Sequence, residues 1–485
     1  MVRAACWPLA ILVVGFTGLT LAQLTPLEAQ HASFYGGSGP DWWAGGQDDI
    51  LPREDDYDNA SGRVRVVNTT GLIRSKGNSF FERLGPNGRA CVTCHQPSNG
   101  MSVSVEGLRK RWEETNGDDA VFAAVDGSNC PDLPQKAKES HSLLLNRGLF
   151  RIALPWPPRN PDGSEIRPNF RIEVVRDPTG CNTSAVYGFN SAHPAVSVFR
   201  RPRVTANLKY VVADRKSLIF MADGRESTLR GQATDAALTH EEATMAPTEE
   251  QLRQIVDFES QLYVAQGLDL LAGLVNEETA PFALGPDNLA TGKASRFDGI
   301  TAWRSFDRWR QPAGIEDKGL QREFRVSVAR GSDVFFGHRF RIADVGGNAN
   351  GIATCSSCHS SRVSPWMDVG TANLAPGAMA KESAVAEKSD LPLFRITCDA
   401  SAAPHPYLDR VIYTQDPGRA LISGKCADTG ALVMQQFHGF AARAPYFTNG
   451  SAASLADVVD FYERRFRIGF TTQERQDLIN FLRVL

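Results

Sequence analysis

The spacing of apolar residues predicts short helices in the first half of the chain. Val105, Leu108 and Trp112 recur at the three- to four-residue interval of a helix. Thr248-Glu249-Glu250-Gln251 is a capping box, in which the first and fourth side chains satisfy free backbone groups. The helix that it opens has apolar residues at Leu252, Ile255, Val256, Leu262 and Tyr263. Residues 79–84 predict a further short helix.

Helical periodicity returns in the second half. A helix is predicted over residues 326–336, and a loop-rich stretch is predicted over residues 360–430. Ser454 and Thr471 each begin a capping motif ahead of an apolar stripe. The two stripes consist of Leu455, Val458, Val459 and Tyr462, and of Leu478, Ile479, Leu482 and Leu485.

One segment alternates between apolar and polar residues. Phe170-Arg171-Ile172-Glu173-Val174-Val175 predicts a strand, because alternate side chains of a strand point to opposite faces. It lies in a Pro- and Gly-rich region, residues 130–200, which we interpret as an inserted lobe with a small β element. Residues 31–75 predict an irregular arm, and residues 270–320 predict a connection. The expected fold is therefore mainly α, with long loops and a small β-containing insertion.

The first 22 residues have the layout of a secretory signal peptide. Arg3 supplies a positive charge, residues 8–22 are nearly all apolar or small, and Thr20-Leu21-Ala22 offers a cleavage site. We therefore expect export to the periplasm with cleavage of residues 1–22. No later stretch reaches the roughly 18 apolar residues of a spanning helix, so no membrane span is expected in the mature chain.

Composition limits the class of protein. The chain has 485 residues, of which 42% are hydrophobic and 22% are charged, so a large folded core of two or three domains is expected. The formal net charge is −3. Because nucleic-acid binding needs a basic surface, this balance predicts no nucleic-acid partner.

Four cysteines form two copies of one motif. Cys91-Val92-Thr93-Cys94-His95 and Cys355-Ser356-Ser357-Cys358-His359 both read C-x-x-C-H, which is the attachment motif of c-type haem. The two thiols bind the porphyrin vinyl groups, and the adjacent histidine ligates the iron. The copies lie too far apart in sequence for one zinc site. We therefore predict two covalent haem c groups held by Cys91, Cys94, His95, Cys355, Cys358 and His359.

The remaining cysteines of the mature chain fall as one pair in each half. These pairs are Cys130 with Cys181 and Cys398 with Cys426. Disulfides are typical of exported proteins, and each would stabilise the fold by about 3 kcal/mol. The alternative is four buried thiols.

Four segments together resemble the bacterial di-haem cytochrome c peroxidases and their relative MauG. They are the two haem motifs, Phe220-Met221-Ala222-Asp223-Gly224-Arg225 with the residues that follow it, and the stretch from Ala444 to Tyr462. The resemblance implies two cytochrome c-type haem domains, over residues 31–290 and 320–485. It makes the N-terminal haem, ligated by His95, the reactive one. The C-terminal haem, ligated by His359, would transfer electrons.

The resemblance also implies distal residues for the first haem. Gln232 and Glu242 match a Gln and a Glu that line the reactive pocket of the peroxidases, with Glu242 as acid/base. A shift of the loop register would place Glu241 or His240 there instead. The usual distal His soon after the first motif is missing, so His240 is also a candidate ligand.

The sixth ligand of the second haem has several candidates. In the peroxidases a Met lies sixteen residues after the Tyr of the Pro-Tyr pair. The equivalent residue here is Tyr462, as in MauG. Met434 and His438 are rivals, and Tyr462 could instead be a core residue of its helix.

Two departures from the family leave further points open. Ala222 stands where the peroxidases have a Trp between the haems, which puts fast electron transfer by that route in question. The Asn that helps to hold a calcium ion in the family has no clear counterpart near Arg200-Arg201-Pro202, so calcium binding is open.

The sequence therefore supports three hypotheses. The first is a peroxidase that reduces hydrogen peroxide, or another small oxidant, with electrons from a small cytochrome c or cupredoxin. The second is a MauG-like oxidase or oxygenase acting on an organic or protein substrate. The third is a non-enzymatic electron-transfer cytochrome.

Overall fold

The computed structural model of the protein is a mixed fold, with 33% of the residues in helices and 19% in strands. The expectation of a mainly α cytochrome fold is therefore wrong. Several strands pair with segments that lie far away in sequence, and local periodicity does not reveal such pairing. The described residues are 39–212, 220–292, 299–310, 319–342, 351–359, 371–372, 378–379, 388–405, 408–433 and 435–485.

The helices are numbered here in chain order. The first seven are α1 (Cys91–Cys94), α2 (Val105–Thr115), α3 (Ser142–Arg147), α4 (Leu208–Val212), α5 (Leu229–Thr239), α6 (Glu249–Gln261) and α7 (Pro286–Ala290). The next seven are α8 (Gly299–Ser305), α9 (Asp307–Arg310), α10 (Leu320–Gly337), α11 (Cys355–Cys358), α12 (Ala420–Ser423), α13 (Leu455–Phe466) and α14 (Thr472–Arg483). Short 3₁₀ turns connect several of them.

The strands are numbered in the same way. The first eight are β1 (Ile50–Leu51), β2 (Glu54–Asn59), β3 (Gly62–Asn68), β4 (Ile73–Arg74), β5 (Phe150–Pro155), β6 (Phe170–Arg176), β7 (Ala195–Arg200) and β8 (Leu262–Asp269). The others are β9 (Gly273–Leu274), β10 (Phe340–Ile342), β11 (Gly351–Ala353), β12 (Thr371–Ala372), β13 (Ala378–Met379), β14 (Leu393–Cys398), β15 (Val411–Thr414) and β16 (Leu432–Val433).

An antiparallel sheet of order β2-β3-β8-β9 occupies the region where an irregular arm was expected. Val66 of β3 pairs with Val264 of β8, and both side chains are buried. The hairpin between β2 and β3 turns at Gly62, where an added Cβ would lie 2.2 Å from the Leu268 carbonyl oxygen. The expectation failed because β2 consists mostly of polar residues and does not have the pattern of a buried strand. The sheet is completed by β8, which pairs with β3 and lies about 200 residues later in the chain.

The strand predicted over Phe170–Val175 is confirmed as β6. Its partner is β14 in the C-terminal half, within a sheet of order β13-β15-β14-β6, so the inserted region is joined to that half by main-chain hydrogen bonds. The structure pairs Cys130 with Cys181 and Cys398 with Cys426, at Cα–Cα distances of 5.2 and 5.6 Å.

The helix signals have mixed outcomes. The capping boxes at Thr248, Ser454 and Thr471 are confirmed, as are the helices after them and the predicted helix over 326–336. Helix α6 ends at Gln261, so Leu262 and Tyr263 belong to β8 and not to the helix. Residues 79–84 form turns instead of the predicted helix, because Asn78 and Ser75 hold the chain in successive tight bends.

Parts of the two halves repeat one arrangement. In each half, a turn that comes before a capped helix is closed by an isolated antiparallel β-bridge between an aromatic residue and the residue six positions later. The pairs are Phe220–Glu226 and Tyr446–Ala452, and each is called a capped turn below. The residue after each aromatic has a positive φ, 64° at Met221 and 66° at Phe447.

Contacts further along the chain follow the same repeat. Ring centroids lie 4.5 Å apart for Phe80 and Phe258, and 5.4 Å apart for Phe335 and Phe481. The amide of Asn207 donates to the Leu262 carbonyl at 2.8 Å. In the second half, the amide of Gly439 donates to the carbonyl of the final residue at 2.9 Å.

Two expectations about boundaries remain predictions. The signal peptide over residues 1–22 lies outside the described residues. Residues 37–485 group together by their contacts, and the predicted division into two haem domains is not tested by that grouping. Among the described helices, none combines the length and the apolar character that a membrane crossing requires.

Candidate functional site: two cavities at the repeated motifs

The first C-x-x-C-H motif lines a deep cavity. Cys91 and Cys94 lie on the single turn of α1, and His95 is the residue that ends this turn. All three line a cavity with about 1460 Å³ of empty space, including its open mouth. The His95 ring nitrogen Nδ1 lies 3.3 Å from the Met101 carbonyl oxygen. Burial lowers the pKa of His95 to about 4, so the ring is neutral, and a proton on Nδ1 places the lone pair on Nε2, the atom that would bind a metal.

The second motif is placed in the same way against a second cavity of about 1390 Å³, again including open space. Cys355 and His359 line it, whereas the side chain of Cys358 lies outside the described residues. Burial lowers the pKa of His359 to about 4, which leaves this imidazole neutral as well. The His359 ring lies 4.4 Å from the Phe437 ring, measured between centroids.

Both cavities have the features that a c-type haem requires. Each has motif cysteine and neutral imidazole on one wall, and the remaining walls are largely apolar. A porphyrin could therefore be attached at its edge and ligated from one side in either cavity. Three residues, Arg201, Pro202 and Gln435, line both cavities, so the two spaces adjoin at this point.

The candidates for the second distal ligand separate clearly. Tyr462 lines the second cavity, and its ring lies 6.2 Å from the His359 ring, nearly perpendicular to it. His438 is fully buried and lines neither cavity. Met434 lies outside the described residues.

The predicted distal residues of the first cavity are only partly brought together. Gln232 and His240 line the cavity. Glu242 is exposed, has a φ of 55°, and accepts a hydrogen bond from Asn87 at 3.2 Å. Glu241 is buried in the cavity wall instead, and burial raises the pKa of this carboxyl to about 7. The structure therefore brings Glu241, and not Glu242, to the cavity.

His240 has a buried partner that sequence reasoning missed. The His240 Nδ1 atom lies 2.6 Å from Asp126 Oδ2, and Asp126 is also ion-paired with the buried Arg89. Burial raises the pKa of Asp126, but the Arg89 charge and the His240 hydrogen bond outweigh burial and leave it below its usual value. A charged carboxylate at Nδ1 orients the ring and leaves Nε2 for chemistry. Asp126 is 114 residues from His240, and no local pattern connects them.

Glu259 is a second missed residue. It lies on α6, lines the first cavity and is only 2% exposed. Burial raises the pKa of Glu259 to about 8, and its Oε2 atom has no hydrogen-bond partner among the described residues. A charged residue on the apolar face of the predicted helix was the signal that could have found it.

The Asp-Gly-Arg segment is structural. Asp223 is fully buried and forms ion pairs with Arg200 at 2.5 Å and Arg225 at 2.8 Å. Arg200 also pairs with Asp416 at 2.7 Å, which connects the segment to the C-terminal half. This network fixes the turn from which α5 enters the first cavity.

The repeat allows the two cavities to be compared position by position. Ala236 and Tyr462 each lie eight residues after the N-cap of their helix, at Thr228 and Ser454. The other equivalent pairs that line the cavities are Gln232 with Val458, His240 with Phe466, and Glu259 with Leu482. The first cavity therefore has a methyl group and polar side chains where the second has a phenol ring and apolar side chains.

The chain was compared with protein-family models and with curated proteins. No protein-family model matches the chain. No curated protein matches it either.

Proposed function

We propose that the chain is an exported c-type oxidoreductase with two covalent haems. More particularly, we propose that it reduces hydrogen peroxide in the first cavity, with electrons relayed through the second from a small cytochrome c or cupredoxin. Support comes from the two motif-lined cavities and from the resemblance of four sequence segments to the di-haem peroxidases.

One observation carries this assignment. Where Tyr462 extends a phenol ring into the second cavity, the first cavity has only the methyl group of Ala236. At this position the first cavity therefore has more space for a small oxidant, whereas the second has the Tyr462 ring. This difference supports placing the chemistry in the first cavity and electron transfer in the second.

The side chains around the first cavity supply what peroxide cleavage needs besides the iron. A haem bound through His95 would supply the open coordination position and the electrons. His240, held by Asp126, can accept a proton from one peroxide oxygen and return it to the departing one. The Gln232 amide can orient the bound oxygens by hydrogen bonding, an effect of about 1 kcal/mol.

The contact between the two cavities supports electron transfer from one cofactor to the other. Pro202 and Gln435 line both cavities, so the two cofactors would be separated by only a thin protein wall. Ala222, at the position of the family's Trp, lines the first cavity without providing an aromatic bridge.

A MauG-like oxidase is the second candidate, because Tyr462 lines the second cavity. An oxidising role on an organic or protein substrate would use the same first cavity. The two candidates differ in what the enzyme oxidises, so substrate tests separate them.

The test is peroxide-dependent oxidation of a reduced small cytochrome c or cupredoxin by the purified protein. We expect turnover, and we expect the His240→Phe variant to lose most of it. Peroxide consumption without donor oxidation would favour the MauG-like activity. Absence of any reaction with peroxide, in protein that carries two haems, would contradict both candidates and favour a simple electron-transfer cytochrome.

A further inference from the structure

Two buried arginines at the junction of the cavities have no carboxylate partner among the described residues. Arg201 lines both cavities, and Arg443 lines the second. Both are only 7% exposed. A buried charge is costly unless it is paired, so these guanidinium groups call for an anion.

Among the described residues, the Arg201 side chain donates hydrogen bonds only to backbone carbonyls. Its Nη1 donates to Arg147 at 2.9 Å, and its Nη2 donates to Val103 at 2.6 Å and to Arg443 at 2.9 Å. Carbonyl oxygens orient the guanidinium group but do not neutralise its charge. A guanidinium has five N–H donors, and the three hydrogen bonds leave two of them available at the cavity wall.

The Arg443 side chain is held in a similar way. Its Nη2 donates to the Gln436 carbonyl and, at 3.0 Å, to the His438 carbonyl. Burial, together with the nearby charges of Arg201 and Arg203, lowers the pKa of Arg443 to about 9. Like charges are therefore crowded at the junction, which adds to the need for a negative group.

The neighbouring Arg200 provides a contrast within the same chain. It is equally buried, but Asp223 and Asp416 surround it with negative charge. The chain therefore neutralises one buried arginine with its own carboxylates and leaves the next one, Arg201, facing the two cavities.

We propose that Arg201 is a shared binding site for the carboxylate side chains of both cofactors, and that Arg443 binds a carboxylate of the second cofactor only. The inference rests on the proposed presence of two haems, each of which brings its own carboxylates. Among the described residues, no carbonyl uses the Nε–H or the second Nη1–H of Arg201, and each of these can donate one charge-assisted hydrogen bond to a carboxylate. One cation in contact with both cofactors would make their reduction potentials depend on the same residue.

The experiment is a spectroelectrochemical titration of the full-length protein carrying both haems. A nearby positive charge stabilises the reduced, less positive iron centre, so its removal lowers the potential. We expect Arg201→Gln to lower both midpoint potentials, Arg443→Gln to lower only one, and Arg201→Lys, which keeps the charge, to leave both near the parental values. Unchanged potentials, or a single shift, in Arg201→Gln would overturn the shared site.

A second measurement tests the proposal in case the Arg201→Gln variant does not fold. In redox-induced infrared difference spectra, the carboxylate bands of Arg201→Lys should be shifted from those of the parent. The reason is that a Lys ammonium cannot reproduce the hydrogen-bond geometry of the guanidinium group. Identical bands would contradict the proposal. Neither readout involves peroxide, so a protein that does not reduce peroxide can still pass this test.

Discussion

In the second cavity, the helix that follows the capped turn presents Val458, Tyr462 and Phe466, whereas the equivalent helix of the first cavity presents Gln232, Ala236 and His240. The backbone, the caps and the position of the motif histidine repeat between the two. The difference teaches that one scaffold can present a phenol ring among apolar side chains, or a methyl group among polar ones, through a few side chains on one helix face.

The largest expected effect comes from exchanging the two distal residues. Ala236→Tyr should abolish binding of cyanide at the first haem, because the phenol ring would fill the space that the methyl group leaves open. Tyr462→Ala should make a second haem accessible to cyanide. Optical titration of each purified variant measures the bound ligand per chain.

Haem content is the control for this exchange, and both variants should retain two covalent haems by the pyridine haemochrome assay. If Ala236→Tyr still binds one cyanide, as the parent does, and Tyr462→Ala binds no more than the parent, the assignment of the reactive cavity is reversed.

The next effect concerns the distal acid/base. His240→Phe copies Phe466 of the second cavity and removes the proton-transfer group, so the reaction with peroxide should slow by about 10²–10⁴-fold. Stopped-flow absorbance measures the rate. Glu242→Gln is the matched control, because Glu242 is exposed and its rate should stay parental. A large loss in Glu242→Gln with a normal rate in His240→Phe would place the acid/base at Glu242 after all.

A smaller effect is expected at the residue that orients His240. Asp126→Asn keeps the shape but removes the carboxylate charge behind Nδ1, so the peroxide rate should fall by about 10–100-fold. A parental peroxide rate would make Asp126 purely structural.

A separate effect, on stability and not on the reaction, is expected at Glu259. Burial raises the pKa of this carboxyl to about 8, so the native state holds a proton that the unfolded state releases above its ordinary pKa of about 4.5. Between these values the native protein loses stability as the pH rises, by up to about 1.4 kcal/mol per pH unit. Glu259→Leu, which copies Leu482, should remove this contribution.

Urea unfolding at pH 5 and pH 8 measures the difference. The stability gain of Glu259→Leu over the parent should be larger at pH 8 than at pH 5. An equal gain at both values would show that the Glu259 carboxyl is not protonated in the native state.

The sequence could predict what local chemistry determines. The C-x-x-C-H motifs, the capping boxes at Thr248, Ser454 and Thr471, and the alternating strand at Phe170 all follow from short-range rules. The pairing of β6 with β14 and the Asp126–His240 contact join residues more than 100 positions apart, and no local pattern encodes them.

The loop after α5 shows a different limit. Counting residues from Gln232 selects Glu242, but a left-handed φ of 55° at this residue turns its side chain outwards and leaves Glu241 in the cavity wall. Single-residue register in a loop depends on backbone angles that composition does not determine.

The central claim is that the two haem sites differ in distal access, and ligand stoichiometry of the parental protein tests it most directly. Titration of the ferric protein with cyanide, followed by absorbance and electron paramagnetic resonance, should show one cyanide bound per two covalent haems and one high-spin haem before addition. Two bound cyanides per chain, or none, would contradict the account.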